Sequence, residues 1–408
     1  MFLTGCGKDN AESVFKDFTN KINKLNSYTI KGVLNVKNNN NTYNYDVEVN
    51  YMSKDKFRVT LVNTANNHEQ VILRNDDGVF VLTPSLNKSF KFQSDWPYNN
   101  SQVYILGSIV DDLNKDKETA KEEIDGKYVF TSKVTYPNNN KLVSQKVIVT
   151  KDLFVESVEV LNSEGNVEMK FTVNSTDYSP TFDESYFEVN SIINNTNNNS
   201  LNGDNKKENN NNGNNTQNDG TNSNSNISEN NSTDTTNSET CDSNTNTTCK
   251  KENNTATNQS SNVKSYSVKP ITMTMNGLED VETDTSEKVT PTATLEDVIY
   301  PLYLPNGTVL KDQEKVSKTD GERVILTFAG DKGFTLVEET ATRETEFTII
   351  PTYGEPGLIN DTVGAITDNS LNWISNGVEY YMVSDVMNTI ELLDVANSIN
   401  VTAVANLK

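Results

Sequence analysis

The residues near the start of this chain that can do chemistry are Leu3-Thr4-Gly5-Cys6. An apolar residue three before a cysteine, with small residues between, is the spacing of a bacterial lipobox. A peptidase grips the apolar side chain, and the thiol accepts a diacylglycerol. Lipid on Cys6 would leave Gly7-Lys8-Asp9-Asn10 as a polar tether. A secretory signal needs a charged start and roughly 7 to 15 apolar residues ahead of that site. Only Met1 to Gly5 stand there, so the expectation includes a start upstream of Met1.

Other reactive side chains are few. Cys241 and Cys249 lie in a polar stretch at a spacing that matches no zinc motif, and they are read as incidental, with a small disulfide loop as the alternative. The one histidine, His68, sits in Asn66-Asn67-His68-Glu69 and is expected as a surface residue of a turn. A histidine-dependent triad or a histidine-rich metal site is therefore excluded by count. No G-x-S-x-G elbow, phosphate loop or G-x-G-x-x-G occurs. Gly5-Cys6-Gly7-Lys8 lacks the strand before and the Ser or Thr after that a phosphate loop requires. Carboxylates adjacent in sequence, Asp111-Asp112 and Glu122-Glu123, point apart and read as solvated surface. Counting leaves a carboxylate hydrolase open, but no cleft signature supports one. The expectation is a protein with no catalytic residues, no metal and no cofactor.

With 408 residues the chain has room for two domains at roughly 100 to 200 residues each. No stretch reaches the ~18 consecutive apolar residues of a membrane span, so contact with a membrane would come through lipid on Cys6. A formal net charge of -22 argues against nucleic acid, whose phosphates need a basic footprint. The acidity suits a solvated, exported body.

Composition divides the chain. Residues 191–262 hold 26 asparagines among 72 positions, with Ser and Thr between them and no aromatic residue. Such a segment buries too little apolar surface to offset the entropy of ordering, and is expected as a disordered linker. The expected order is a tether over 1–8, a domain over 9–190, the linker, and a smaller α+β domain over 263–408. Whether the two bodies touch is left open by a spacer of this length.

In the first body Val14, Phe15, Phe18, Ile22 and Leu25 mark one face of a helix over about 11–25. Strand-like runs follow over 28–36, 43–52, 57–62, 70–74 and 79–82. The clearest alternation puts Tyr43, Tyr45, Val47, Val49 and Tyr51 on one buried face and polar groups on a wet one. A second helix is predicted over about 99–113, then strands over 127–136, 142–150, 154–161 and 167–173. Turns such as Pro137-Asn138-Asn139-Asn140 and Ser163-Glu164-Gly165 separate them. The pattern is an antiparallel meander curling around one or two helices. In the second body strands are predicted over 309–316, 323–328, 334–339 and 372–375. The last turns through Asn376-Gly377 into 378–384, because both turn residues tolerate positive φ. A final helix over 389–399, capped by Asn388 with Glu391, is expected to pack beside Trp373 and Tyr381.

Helix, curved meander and second helix behind a lipobox resemble the LolA and MucB/RseB group of half-barrel proteins. Tyr300-Pro301-Leu302-Tyr303-Leu304-Pro305-Asn306-Gly307-Thr308, the run from Gly321 to Phe328 and Phe334-Thr335-Leu336-Val337-Glu338-Glu339 resemble the GerS-like sporulation and germination lipoproteins of clostridia and bacilli. So does the stretch from Val363-Gly364-Ala365 through Trp373 and Asn376 to Tyr381. The resemblance covers about 9–190 and 263–408, with the Asn-rich spacer as an insertion. It implies a membrane-anchored, extracytoplasmic protein without enzymatic activity. Its partner would be an envelope protein, such as a cortex amidase; the alternative is a carrier or sensor of acyl chains. For a ligand hollow the candidates are Phe15, Phe18 and Ile22 with the inward Tyr45 and Tyr51. The same stripe fills an ordinary core as readily.

Overall fold

The structure, a computed structural model, describes residues 11–38, 41–193, 295, 298–318 and 321–399. Cys6, Cys241, Cys249, the tether and almost all of the expected linker lie outside the described residues. The first helix, α1 (Ala11–Asn23), buries Val14, Phe15, Phe18 and Ile22, the i, i+3, i+4 face its sequence marks. Then come β1 (Ser27–Asn38), β2 (Asn41–Met52), β3 (Lys56–Asn63), β4 (Glu69–Asn75), β5 (Gly78–Thr83) and β6 (Lys88–Phe92). After α2 (Leu106–Lys115) the strands resume as β7 (Ala120–Ile124), β8 (Lys127–Lys133), β9 (Leu142–Val149), β10 (Val155–Asn162) and β11 (Val167–Asp177). The C-terminal part supplies β12 (Val309–Lys318), β13 (Gly321–Ala329), β14 (Phe334–Thr340), β15 (Thr348–Thr352), β16 (Glu355–Ile359), β17 (Thr362–Ile366), β18 (Ser370–Ser375), β19 (Val378–Val383) and the helix α3 (Thr389–Ala396).

These strands make two sheets. One has twelve strands in the order β15-β6-β5-β4-β3-β2-β1-β11-β10-β9-β8-β7, the other seven in the order β12-β13-β14-β19-β18-β17-β16. The large sheet is a curved, unclosed meander: β1 to β6 and β7 to β11 pair antiparallel with their sequence neighbours, β1 meets β11 to join the two halves, and β15 adds parallel to β6 at one edge. Gly32 sits at the register shift of that junction, where a Cβ would collide with the Thr172 backbone and the Phe171 ring. Both long helices pack within it: α1 lies against α2, β7 and β8. Phe130 on β8 receives Phe15 edge-on with ring centroids 5.2 Å apart, and Phe18 at 6.0 Å. This α+β half-barrel is the architecture that the resemblance implied.

Three expectations need correction. The outer face of the sheet is wet only in part, because Phe187, Val189 and Ile192 cover Val71, Leu73, Phe80 and Leu82 as a second, smaller core. That is why β4 and β5 are buried on both faces instead of alternating. The second helix starts at Leu106, not near Asn99; Val103 and Tyr104 are buried from the loop before it, and Ile105 offers no side-chain cap. In the C-terminal sheet the ring facing Trp373 is Tyr380, stacked at 4.9 Å and fully buried, while Tyr381 points to the half-exposed side.

The C-terminal hairpin and helix form as their sequence dictates. Asn376 and Gly377 take φ of 48° and 80°, the two positive values that a two-residue hairpin turn requires. Asn388 accepts from the Glu391 amide at 3.0 Å, and the Glu391 carboxylate accepts in return from the Asn388 amide at 3.0 Å. Leu392, Leu393, Val395 and Ala396 are buried against β18 and β19.

Candidate functional site

The two bodies are joined through β15. This strand leaves the C-terminal part and adds to the large sheet parallel to β6, with Ile350 opposite Phe90. Around it, Asn87 Nδ2 donates to Glu344 O at 2.8 Å, and Asn87 O accepts from Thr348 N at 2.9 Å. A second seam runs along β16 and β17, where the polar side chains of the half-barrel meet backbone and carboxylate groups of 360–363. Asn63 and Asn66 donate to Asp361, Ser375 Oγ donates to its other oxygen at 2.6 Å, and Tyr43 donates to Asn360 Oδ1 at 2.8 Å. Among the described residues Asp361 is held by neutral donors, with Asn63 and Asn66 reaching it across the seam.

His68 belongs to this seam. It is half-buried between β3 and β4, and its Nε2 has no partner among the described residues. Burial pushes its pKa down, and the nearby Asp361 carboxylate opposes that. The expectation of a plain surface histidine is therefore corrected; what the sequence could not show is the C-terminal strand folded over its turn.

Beside the seam, the mouth of the half-barrel opens as a cavity of about 500 Å³. Its floor is apolar, with Val36, Trp96, Tyr104, Tyr136, Leu142 and Met169 from the half-barrel and Leu358, Ile366, Ile390 and Leu393 from the C-terminal part. Its rim is built from the turns 137–139 and 162–164, which the sequence marks only as turns, together with Asn360 and Asn397. Lys141 on one side and Asp394 of α3 on the other close an ion pair of 3.1 Å across the rim. Asn360, at φ 57°, locks the α3 end: its Nδ2 donates to Ala396 O at 3.2 Å and to Ile399 O at 2.6 Å.

None of the five residues singled out for a hollow lines this cavity. Phe15, Phe18, Ile22 and Tyr45 are buried, and Tyr51 is stacked between Tyr28 and Phe57 at 5.1 and 4.9 Å. All five pack in the main core. Burial, with Asp361 adding to it, pushes the Tyr45 hydroxyl pKa well up, so it stays neutral. The cavity escaped the sequence reading because Trp96 sits outside any predicted element and the runs holding Tyr104 and Tyr136 do not mark them as neighbours.

Titratable groups with displaced pKa values do not form a reactive set. Burial raises Asp112 to about 6 and Glu338 to about 7. Asp112 lies on α2, while Glu338 is in the C-terminal core beneath Tyr380. Among the described residues no group of three or more His, Cys, Asp or Glu is placed to hold a metal ion, and no helix is long and apolar enough to cross a membrane.

A curved, unclosed sheet with helices in its hollow fits a LolA-like half-barrel. At the level of particular proteins, the chain is similar to the sporulation protein YdcC of Bacillus subtilis (strain 168), 29% identical over 402 residues that make up 98% of this chain and 93% of that one. No family model matches. Among solved structures, the Pseudomonas aeruginosa MucA/MucB complex aligns over 96% of this chain and 98% of that chain, at 10% identity and a TM-score of 0.28. An outer membrane lipoprotein-sorting protein domain from Vibrio parahaemolyticus aligns over 45% of this chain and 100% of that chain, at 11% identity and 0.29. The complex of the CwlD amidase with the GerS lipoprotein from Clostridioides difficile aligns over 44% of this chain and 99% of that chain, at 19% identity and 0.23.

Proposed function

We propose that this chain is a non-enzymatic lipoprotein of the cell envelope that serves sporulation by binding a protein partner. Lipid on Cys6 would hold it at the extracytoplasmic face of the membrane. Residues 9–190 act as the half-barrel domain and 263–408 as the C-terminal domain, with 191–262 as the linker between them. The end-to-end similarity to a sporulation protein is the observation that carries this reading. The filled hollow supports it: a core closed by Phe15, Phe18 and Phe130 leaves the outer surface to do the binding. A cortex amidase is the partner class that the sequence resemblance suggests. Crosslinking in sporulating cells tests the reading. The full chain is expected in the membrane fraction joined to an envelope protein, and Cys6→Ser is expected to release it into the soluble fraction. Recovery of no envelope protein overturns the reading.

A second reading is favoured by the cavity, whose apolar floor suits the end of an acyl chain. Native mass spectrometry of the chain purified from membranes separates the two. Bound lipid that leaves on delipidation supports a carrier or sensor, and its absence removes that role.

A further inference from the structure

The mouth of the cavity differs from its floor in chemistry. Six half-buried carboxamides stand there: Asn38, Asn100, Gln102, Asn138, Asn162 and Asn397. Two lysines stand in the lining, Lys37 and Lys141, both exposed to solvent, and Lys37 has no partner among the described residues. Lys141 is held by Asp394 at 3.1 Å, Glu164 accepts from Asn166 Nδ2 at 3.1 Å, and Glu168 accepts from Asn162 Nδ2. Asn162 is engaged by Glu168 and by the amides of Glu164 and Asn166, but the other carboxamides keep capacity to spare. Asn100 accepts from Gln102, which leaves Asn100 Nδ2 and Gln102 Oε1. Asn397 gives its Oδ1 to the Asn360 amide and keeps its Nδ2. The side chains of Asn38 and Asn138 hold no hydrogen bond among the described residues.

A carboxamide presents donors and an acceptor without charge. A ring of them matches a ligand that has hydroxyl and amide groups of its own. An anionic headgroup would instead call for a guanidinium or ammonium buried at the mouth, and Lys37 and Lys141 are both exposed. A bare acyl chain would strip water from the carboxamide groups that have no partner among the described residues and return nothing, at about 1–3 kcal/mol for each group left unpaired. The half-exposed apolar lining, Tyr136, Met169, Leu358 and Ile390, offers a surface to C–H groups and methyls.

We propose that this cavity binds a neutral, N-acetylated oligosaccharide, with the carboxamides of the mouth bonding its hydroxyl and acetamido groups and its acetyl methyls resting on the half-exposed apolar lining. The assignment goes beyond the proposed function and does not depend on a protein partner being found.

The chain has two tryptophans, Trp96 in the cavity lining and Trp373 in the C-terminal core, so Trp373→Phe makes Trp96 the sole indole reporter. Tri-N-acetylchitotriose is expected to shift Trp96 emission saturably, with a Kd between about 10 µM and 1 mM. Saturation-transfer NMR on the unsubstituted full chain reads the same binding should Trp373→Phe fail to fold. Paired Gln102→Ala and Asn138→Ala substitutions are expected to weaken it at least about tenfold, the equivalent of ~1.4 kcal/mol. Maltotriose, which has no acetamido groups, is expected to bind at least about tenfold more weakly than the N-acetylated trimer. The proposal is overturned if chitotriose gives no saturable signal, if maltotriose binds as well, or if dodecanoate occupies the cavity and the trisaccharide does not. Failure in this titration leaves the crosslinking result untouched, so the two readings fall separately.

Discussion

Gln70 in β4 and Val363 in β17 exchange two hydrogen bonds although 293 positions separate them: Gln70 Nε2 donates to Val363 O at 2.9 Å, and Gln70 Oε1 accepts from Val363 N at 2.6 Å. Thr362 Oγ1 donates to the same Oε1 at 2.8 Å. The side chain is 5% exposed. A carboxamide at this place acts as a short piece of strand, satisfying both backbone groups of a residue whose own sheet leaves them unpaired. The joint between the bodies is therefore a specific polar fit as well as an apolar one.

Replacing Gln70 by Leu keeps the volume and removes every bond. Two buried backbone groups are then orphaned, and the expected loss of stability is about 2–5 kcal/mol. Urea unfolding read by the cavity and core tryptophans measures it. A loss below about 1 kcal/mol would mean that water reaches Val363 and that the seam is not closed.

At α3 the bonds are local and exposed, so the effect is smaller. Asn388→Ala removes the acceptor for the Glu391 amide and is expected to cost about 1 kcal/mol. Asn388→Asp keeps the acceptor and should lie within a few tenths of the unsubstituted chain. Thermal unfolding of the three chains ranks them, and equal stability of all three would remove the cap from the account.

That cap, the Asn-Gly hairpin, α1 and the alternating strands were legible because each is specified within about a dozen residues. β6, β7, β15, β16 and β17 were not. β7 carries Lys121, Glu122 and Glu123 at an open edge and has almost no buried face to read. β15 and β16 contain Pro351 and Pro356, and Gly357 and Gly364 stand opposite each other where β16 meets β17. Such strands exist because of the partner they add to, and β15 finds its partner more than 250 residues upstream, across the 191–262 spacer. The cavity was illegible for the same reason. Trp96, Tyr136, Asn162 and Leu393 become neighbours only after that non-local pairing.

Asn87 tests the strand addition directly. It sits at φ 53°, donates to Glu344 O through its side chain and accepts from Thr348 N through its carbonyl. Asn87→Gly loses the side-chain bond but tolerates the left-handed backbone, whereas Asn87→Ala loses the bond and adds strain of about 1 kcal/mol. The glycine variant is therefore expected to be the more stable of the two, and both less stable than the unsubstituted chain. Hydrogen exchange should show early opening of 348–352 in each. Unchanged protection there would show that β15 is held by packing alone.

Glu338 sets a pH dependence whose sign can be worked out. Its Oε2 accepts from Ile299 N at 3.1 Å, and it stands in register with Tyr380; among the described residues neither its Oε1 nor the Tyr380 hydroxyl has a partner. Burial raises its pKa from the usual 4.5 to about 7, against the pull of the Ile299 amide. Between those values the folded chain keeps a proton that the unfolded chain has released. Stability contributed by this group therefore falls as pH rises from 4.5 to about 7, and is level above that. The total on this account is up to about 3 kcal/mol, at ~1.4 kcal/mol per pKa unit. Asp112, raised by burial to about 6, acts in the same direction. Glu391, held low by its hydrogen bond from Lys332, acts in the opposite direction and only as pH falls. Glu338→Gln cannot ionise, so its urea midpoint is expected to drop less than that of the unsubstituted chain between pH 5 and pH 7. Parallel slopes for the two chains across that window would show that Glu338 is already ionised in the folded core, with a partner supplied from outside the described residues.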